Sequence, residues 1–243
     1  MSLDNLTLFL NTHSSASDLW PMFSGQLKKF WPGHPQLVVA SNANAPASDM
    51  RDGKWADFLW ENARCRCYDP SATFGQQYLQ GLSYVTTDYV LPLLEDMILY
   101  APVDVAAIEE CLKTGHITRL IKTRVKPDAK SYRIQETRWN LVEDAMSMQP
   151  SVWPTEKLLS AALLRRHCPT PWQWETMPVA GSFVAREPAE NGPQRGRTHR
   201  DSLVFPYICT AINKGKWNLS EYPKELGDLL REYGIDSSIR GTI

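Results

Sequence analysis

Long apolar runs are missing from this chain of 243 residues: none approaches the roughly 20 residues that a helix needs to cross a bilayer, so no transmembrane segment is expected. A basic excess is missing too. Lys and Arg number 26 against 27 Asp and Glu, a formal net charge of -1, which excludes the broad positive field of nonspecific nucleic-acid binding; no nucleic-acid partner is expected. Any anionic ligand must then be held locally. Cysteine is sparse and unpatterned: Cys65, Cys67, Cys111, Cys168 and Cys209 are odd in number, form no CxxC pair and have no His at zinc-finger spacing. A reducing compartment fits that usage best. The N-terminus offers only the strand-sized run Leu6 to Leu10 with no basic region before it, so no signal peptide is predicted. The expected location is cytoplasmic, with peripheral membrane association left open, and the sequons at Asn5 and Asn218 carry no meaning there.

Several signatures of catalysis are lacking as well. No GxGxxG follows the first strand, and Gly215-Lys216 has no glycine loop before it, so neither dinucleotide-binding nor Walker motif is present. The histidines at 13, 34, 116, 167 and 199 form no HExxH, and no GxSxG occurs, which disfavours metalloprotease and serine hydrolase chemistry. Cys65-Arg-Cys67 is too tight for ordinary metal spacing.

What is present is an alternation of strand-sized and helix-sized segments. With 43% hydrophobic residues the chain can bury a full core, and one domain over residues 1 to 243 is expected. Leu6 to Leu10 reads as a strand, Asp18 as the cap of a helix reaching about Phe30, and Leu37 to Ala40 as a second strand, which together make a βαβ unit. Residues 41 to 53 read as a loop. A helix over about Phe74 to Tyr84 leads to a further strand, and Val103 to Lys113 reads as another helix with Asp104 near its start. Such alternation predicts an α/β fold with a mostly parallel central sheet flanked by helices. Farther on, Ile117 to Val125, Tyr132 to Gln135 and Leu141 to Met148 read as strands, Pro154 as the start of a helix, and Leu219 to Tyr233 as a closing helix stopped by Gly234. Arg186 to Arg200, with its prolines, glycines and clustered arginines, reads as a surface loop.

The most informative stretch is Tyr84 to Val105. Val90, Leu91, Leu93 and Leu94 are apolar enough for a buried strand, and Glu95 and Asp96 stand where it leaves the sheet. In open α/β folds the crevice outside the carboxyl ends of parallel strands is where ligands bind, so the pair suits a divalent cation or a proton transfer. A solvated turn or helix cap is the alternative.

Several separated segments occur in a telling order: Asp18-Leu-Trp20, Phe30-Trp31-Pro32, Val38 to Asn42, Thr87 to Val90 with Leu94-Glu95-Asp96, Gln149 to Trp153, Pro171 to Glu175, and Gly215-Lys216-Trp217. Together they resemble small bacterial and viral glycosyltransferases of the GT-A type, over roughly residues 6 to 220. The resemblance implies a nucleotide-sugar transferase of surface polysaccharide or lipopolysaccharide assembly, with a donor half over about residues 1 to 115 and an acceptor half over about 116 to 243. The donor would be UDP- or GDP-linked and the acceptor a saccharide or glycolipid. Such enzymes use an Asp-x-Asp type motif. Here the acids are Glu95 and Asp96 followed by Met97, one carboxylate short, so Mn²⁺ or Mg²⁺ would be held by this pair, the sugar diphosphate and water.

Transfer leaves a nucleoside diphosphate whose growing charge must be met by a cation or by Arg, Lys and backbone donors. Arg195 and Arg197 are the candidate closing residues for it. Thr12, His13 and Ser14, after the first strand, and Asn42, after the second, are candidates for the nucleotide. An inverting enzyme also needs a base for the acceptor hydroxyl. Glu175 is the candidate, since the neighbouring Trp172 and Trp174 could raise its pKa and stack on a sugar, with Glu143 and Asp144 in reserve. The rival functions are a non-catalytic saccharide- or nucleotide-binding protein and an unrelated nucleotide-dependent α/β enzyme.

Overall fold

The computed structural model describes residues 2–42, 63–120, 122–123, 131–133, 135, 139–143, 148–176, 183–186, 194–195, 199–200 and 202–243. The first half builds β1 (Leu6–Thr12), α1 (Trp20–Phe30), β2 (Gln36–Ser41), β3 (Ala63–Cys67), α2 (Phe74–Leu82), β4 (Tyr89–Leu93), β5 (Met97–Leu99) and α3 (Val105–Lys113). Strands β3, β2, β1 and β4 lie side by side in that order, every neighbouring pair parallel. Strand β1 is buried along its whole length, as expected of a parallel strand covered on both faces. Its alternate side chains divide between two cores. Leu6, Leu8 and Leu10 pack with Leu19 and with Met22, Phe23 and Leu27 of α1, whereas Phe9 packs with Val38, Ala40 and Val90 and with Tyr78 and Leu82 of α2.

The second half supplies β6 (Ile117–Arg119), β7 (Lys122–Thr123), β8 (Ser131–Arg133), β9 (Asn140–Glu143), β10 (Ser151–Pro154), α4 (Thr155–Leu164), α5 (Pro171–Thr176), β11 (Phe183–Arg186), β12 (Gln194–Arg195) and β13 (His199–Arg200). Strand β10 pairs antiparallel with both β4 and β6, which joins the parallel strands to a mixed extension made of β6, β11, β9 and β8. Last come β14 (Tyr207–Cys209), β15 (Ile212–Asn213), β16 (Lys216–Trp217) and α6 (Glu225–Glu232). Helices α3 and α6 add their apolar faces to the α1 side of the sheet; α4 and α5 join α2 on the other. This is the α/β architecture expected, with parallel central strands and helices on both faces. Among the described residues no helix is long and apolar enough to cross a membrane.

Capping chemistry explains two boundaries and corrects a third. Thr73 and Gln76 form a reciprocal capping box at α2, and Asp104 caps α3 by accepting from the Ala107 amide at 3.0 Å. Asp18 does not cap α1. That helix begins at Trp20 behind Leu19 with no side-chain cap, because both Asp18 oxygens are taken by the Arg240 guanidinium. Pro154, expected to open a helix, ends β10 and is the N-cap residue of α4, which starts at Thr155.

Candidate functional site

The parallel register assembles the site. Leu10 of β1 stands opposite Leu93 of β4, so both strands run out at the same level. Asn11 and Thr12 then meet the turn Leu94 to Asp96. On the other side Thr12 stands opposite Ser41, which brings Asn42 beside the turn that follows β1. The result is a cleft of about 370 Å³ at the carboxyl ends of these strands. Asn11, Thr12, His13, Glu95, Asp96 and Arg240 are among its walls, and Phe74, Gln77 and Pro171 line it from the α2 and α5 side.

Both acids of the turn are perturbed. Burial, and then the charge of Asp96, push Glu95 up to about 7, against the pull of a Thr12 hydrogen bond and the nearby Arg240 charge. Burial pushes Asp96 up to about 6, against the opposing pull of its own backbone amide and that of Ile212. Two adjacent acids in such a place hold less than two full negative charges near neutrality unless a cation joins them. Thr12 is also fixed from two other sides: its hydroxyl accepts from the Trp20 indole at 2.9 Å and its carbonyl accepts from the Tyr68 hydroxyl at 2.7 Å. Burial pushes that Tyr68 hydroxyl up to about 12, which keeps it a donor.

The turn after β1 is equally ordered. The His13 side chain accepts from the Ser15 amide at 3.1 Å and caps a short helical turn over Ser14–Ala16. The Ser14 amide donates to Asn42 Oδ1 at 2.7 Å, and Asn42 Nδ2 donates back to the Ser14 hydroxyl at 3.1 Å. Thr12, His13, Ser14 and Asn42 therefore stand together, at the same end of the sheet as Glu95 and Asp96. Arg240 closes one edge by gripping Asp18 and the Ser15 carbonyl, the latter at 2.8 Å.

Glu175 is placed differently. Its carboxylate accepts from the Met148 amide at 2.9 Å and lies near the buried Arg119, whose pKa falls to about 10 through burial despite the opposing pull of Glu175. Pro171, one helical turn earlier on the same face of α5, lines the cleft. The tryptophans flanking Glu175 do not both face a ligand. Trp174 is in the core against Tyr78 and Arg165, because its ring fills the space under α2 and α4, while Trp172 is 75% exposed. Trp153, Trp20 and Trp31 are also core residues. Arg195 belongs to β12 and Glu143 to β9; Arg197, Asp144, Trp55 and Trp60 lie outside the described residues.

Asn11, Tyr68 and Arg240 were not legible as site residues. Asn11 directly follows the apolar run Leu8 to Leu10, and Arg240 is 222 positions from the aspartate that orients it. Among the described residues no three His, Cys, Asp or Glu side chains converge as a self-sufficient metal cage. The donor set still fits a hard cation. Glu95 and Asp96 offer carboxylate oxygens, and Asn11 Oδ1 is buried without a hydrogen-bond partner in the same wall. Ions such as Mg²⁺ take one or two carboxylates and complete their shell with phosphate oxygens and water.

No protein-family model and no curated protein sequence matches the chain. Among solved structures, Staphylococcus aureus TarS 1–349 is similar with a TM-score of 0.50 and 12% identity, over 97% of this chain and 68% of that one. The 4-diphosphocytidyl-2C-methyl-D-erythritol synthase of Anaerococcus prevotii gives a TM-score of 0.46 and 10% identity, over 76% and 89%. The bifunctional IspDF of Campylobacter jejuni gives 0.42 and 13%, over 82% of this chain and 52% of that one, so the chain spans about half of IspDF. At these identities the likeness to TarS concerns the fold: an α/β molecule with its central sheet between helices.

Proposed function

We propose that the chain is a GT-A-type glycosyltransferase that moves a sugar from a UDP- or GDP-linked donor to a saccharide or glycolipid acceptor with inversion. The observation that carries this reading is the Glu95–Asp96 pair, partly buried at the carboxyl ends of parallel β1 and β4 with Thr12, Asn11 and Arg240 around it. Such a cleft suits a ligand that brings concentrated negative charge together with its own cation. The ordered segments that resemble GT-A enzymes point to the same chemistry.

In this reading the donor half covers about residues 1 to 115. The nucleoside lies over Thr12, His13, Ser14 and Asn42, and the diphosphate faces Glu95 and Asp96. Bound there, Mn²⁺ or Mg²⁺ would neutralise the leaving diphosphate. Arg240 holds the cleft edge, while Arg195 and Arg197 supply further diphosphate contacts. The acceptor half, about 116 to 243, carries Glu175. The acceptor oxygen attacks the anomeric carbon as Glu175 takes its proton, and the bond from that carbon to the diphosphate oxygen breaks with its electrons on the diphosphate. The Met148 amide fixes the carboxylate for this step.

Donor-dependent release of nucleoside diphosphate in the presence of Mn²⁺ and a panel of saccharide acceptors tests the proposal. Acceptor-stimulated release supports transfer. The rival is a binding protein of the same fold that does not turn over, favoured by the single pair of acids in the turn; nucleotide-sugar binding with no release under any acceptor would establish it.

A further inference from the structure

The back of the acidic turn is built by a segment more than a hundred residues away. Strand β14 pairs antiparallel with β5, Cys209 opposite Met97, directly behind Asp96. The chain then turns through Thr210 and Ala211. The Ala211 amide donates to the Asp96 carbonyl at 3.4 Å, and the next residue, Ile212, lines the cleft together with Asp96. The backbone of Asp96 is therefore held by this turn.

That turn is strained. Thr210 has φ 124, a region that a β-branched residue avoids and that persists only where the surroundings force it. Asn218 does the forcing. It is 2% exposed, its Nδ2 donates to the Thr210 carbonyl at 3.2 Å, and its backbone amide donates to the Ala211 carbonyl at 2.9 Å. The Ser220 hydroxyl donates to Asn218 Oδ1 at 3.1 Å and so fixes the amide's orientation. The hairpin of β15 and β16 adds a second restraint: Lys214 and Gly215 both have positive φ, and Ile212 is paired with the fully buried Trp217. Neither Thr210 nor Asn218 lines the cleft.

We propose that Thr210 and Asn218 are positioning residues, a strained clasp that seats the Ala211 amide on the Asp96 carbonyl and so fixes the acidic turn in the orientation in which its carboxylates receive a cation and a diphosphate. The inference rests on the reading of Glu95 and Asp96 as that anchor. A fold-supporting turn would have no use for threonine at a glycine-favouring position; a turn whose task is to hold one orientation does, since glycine there would let it relax.

Thr210→Gly separates the two roles. Free Mn²⁺ is followed by electron paramagnetic resonance during titration, with and without UDP or GDP, and thermal unfolding is followed on the same samples without metal. The expected result is an unfolding temperature at or above that of the unaltered protein together with Mn²⁺ affinity ~10-fold weaker, the scale at which groups behind a metal ligand act. Asn218→Asp keeps the size and the acceptor but loses the donor, and is expected to weaken both affinity and stability. Mn²⁺ affinity in Thr210→Gly equal to that of the unaltered protein would overturn the inference while leaving the site intact. Absence of Mn²⁺ binding by the unaltered protein, with or without nucleotide, would overturn the site reading and the inference with it.

Discussion

Asp96 and Glu95 place two acids where water reaches them only partly, and their behaviour with pH follows from that. Their folded pKa values, about 6 and about 7, lie above the ordinary 3.8 and 4.5. The folded state therefore binds protons more tightly than the unfolded one; the stability the pair contributes is full below about pH 4 and is lost as pH rises through 6 to 7. Asp96→Asn removes one acid and its repulsion of the other. Its unfolding temperature relative to the unaltered protein should therefore climb as pH is raised from 4 to 8 without metal; a constant difference would show that Asp96 is not perturbed. In the same variant sugar transfer should fall by ~10²-fold or more, the scale seen when a charge-stabilising group is removed. Glu175→Gln keeps size and can still accept from Met148, but it cannot take a proton. Transfer should drop by ~10²-fold while donor affinity is kept. A near-normal rate would make Glu175 an anchor for the Met148 backbone and Arg119 rather than a base.

Among the elements, α2 shows how closely the layers meet. A Cβ built on Gly81 would lie 2.5 Å from the Ala40 Cβ and 2.9 Å from the Phe9 ring, so the helix rests on the sheet through a bare backbone. Gly81→Ala should cost about 1–3 kcal/mol of stability, read from denaturant unfolding, since neither neighbour is a flexible chain end. An unchanged midpoint would mean that α2 can lift off the sheet. The same elements mark what the sequence made legible. Strands β1, β2 and β4 and helices α1 to α3 announced themselves because apolar runs or helical periods mark them, and a parallel strand buried on both faces reads as an unbroken apolar run; β3 and the three-residue β5 did not. Strands of two to four residues, such as β10 and β14 to β16, carry too little pattern. Asp18 looked like a cap because capping is a local rule, whereas its actual partner, Arg240, is set by tertiary contact.

At the scale of the whole molecule, the cleft joins the two ends of the chain. Its front wall was legible, since the carboxyl ends of β1, β2 and β4 are where polar residues follow apolar strands. Its back was not: the Thr210 turn, Asn218 and Arg240 become site residues only once β14 pairs with β5 and the last residues pack on β16 through Trp217 and Gly241. As proposed, this composite cleft takes a nucleotide diphosphate together with a divalent cation. Calorimetric titration of UDP, GDP and their sugar conjugates into the unaltered protein and into Asp96→Asn, each with and without Mn²⁺, tests it directly. One nucleotide is expected to bind the unaltered protein more tightly with Mn²⁺ than without, and Asp96→Asn is expected to lose that gain. Nucleotide affinity that ignores both Mn²⁺ and the Asp96 substitution, or no binding at all, would contradict it.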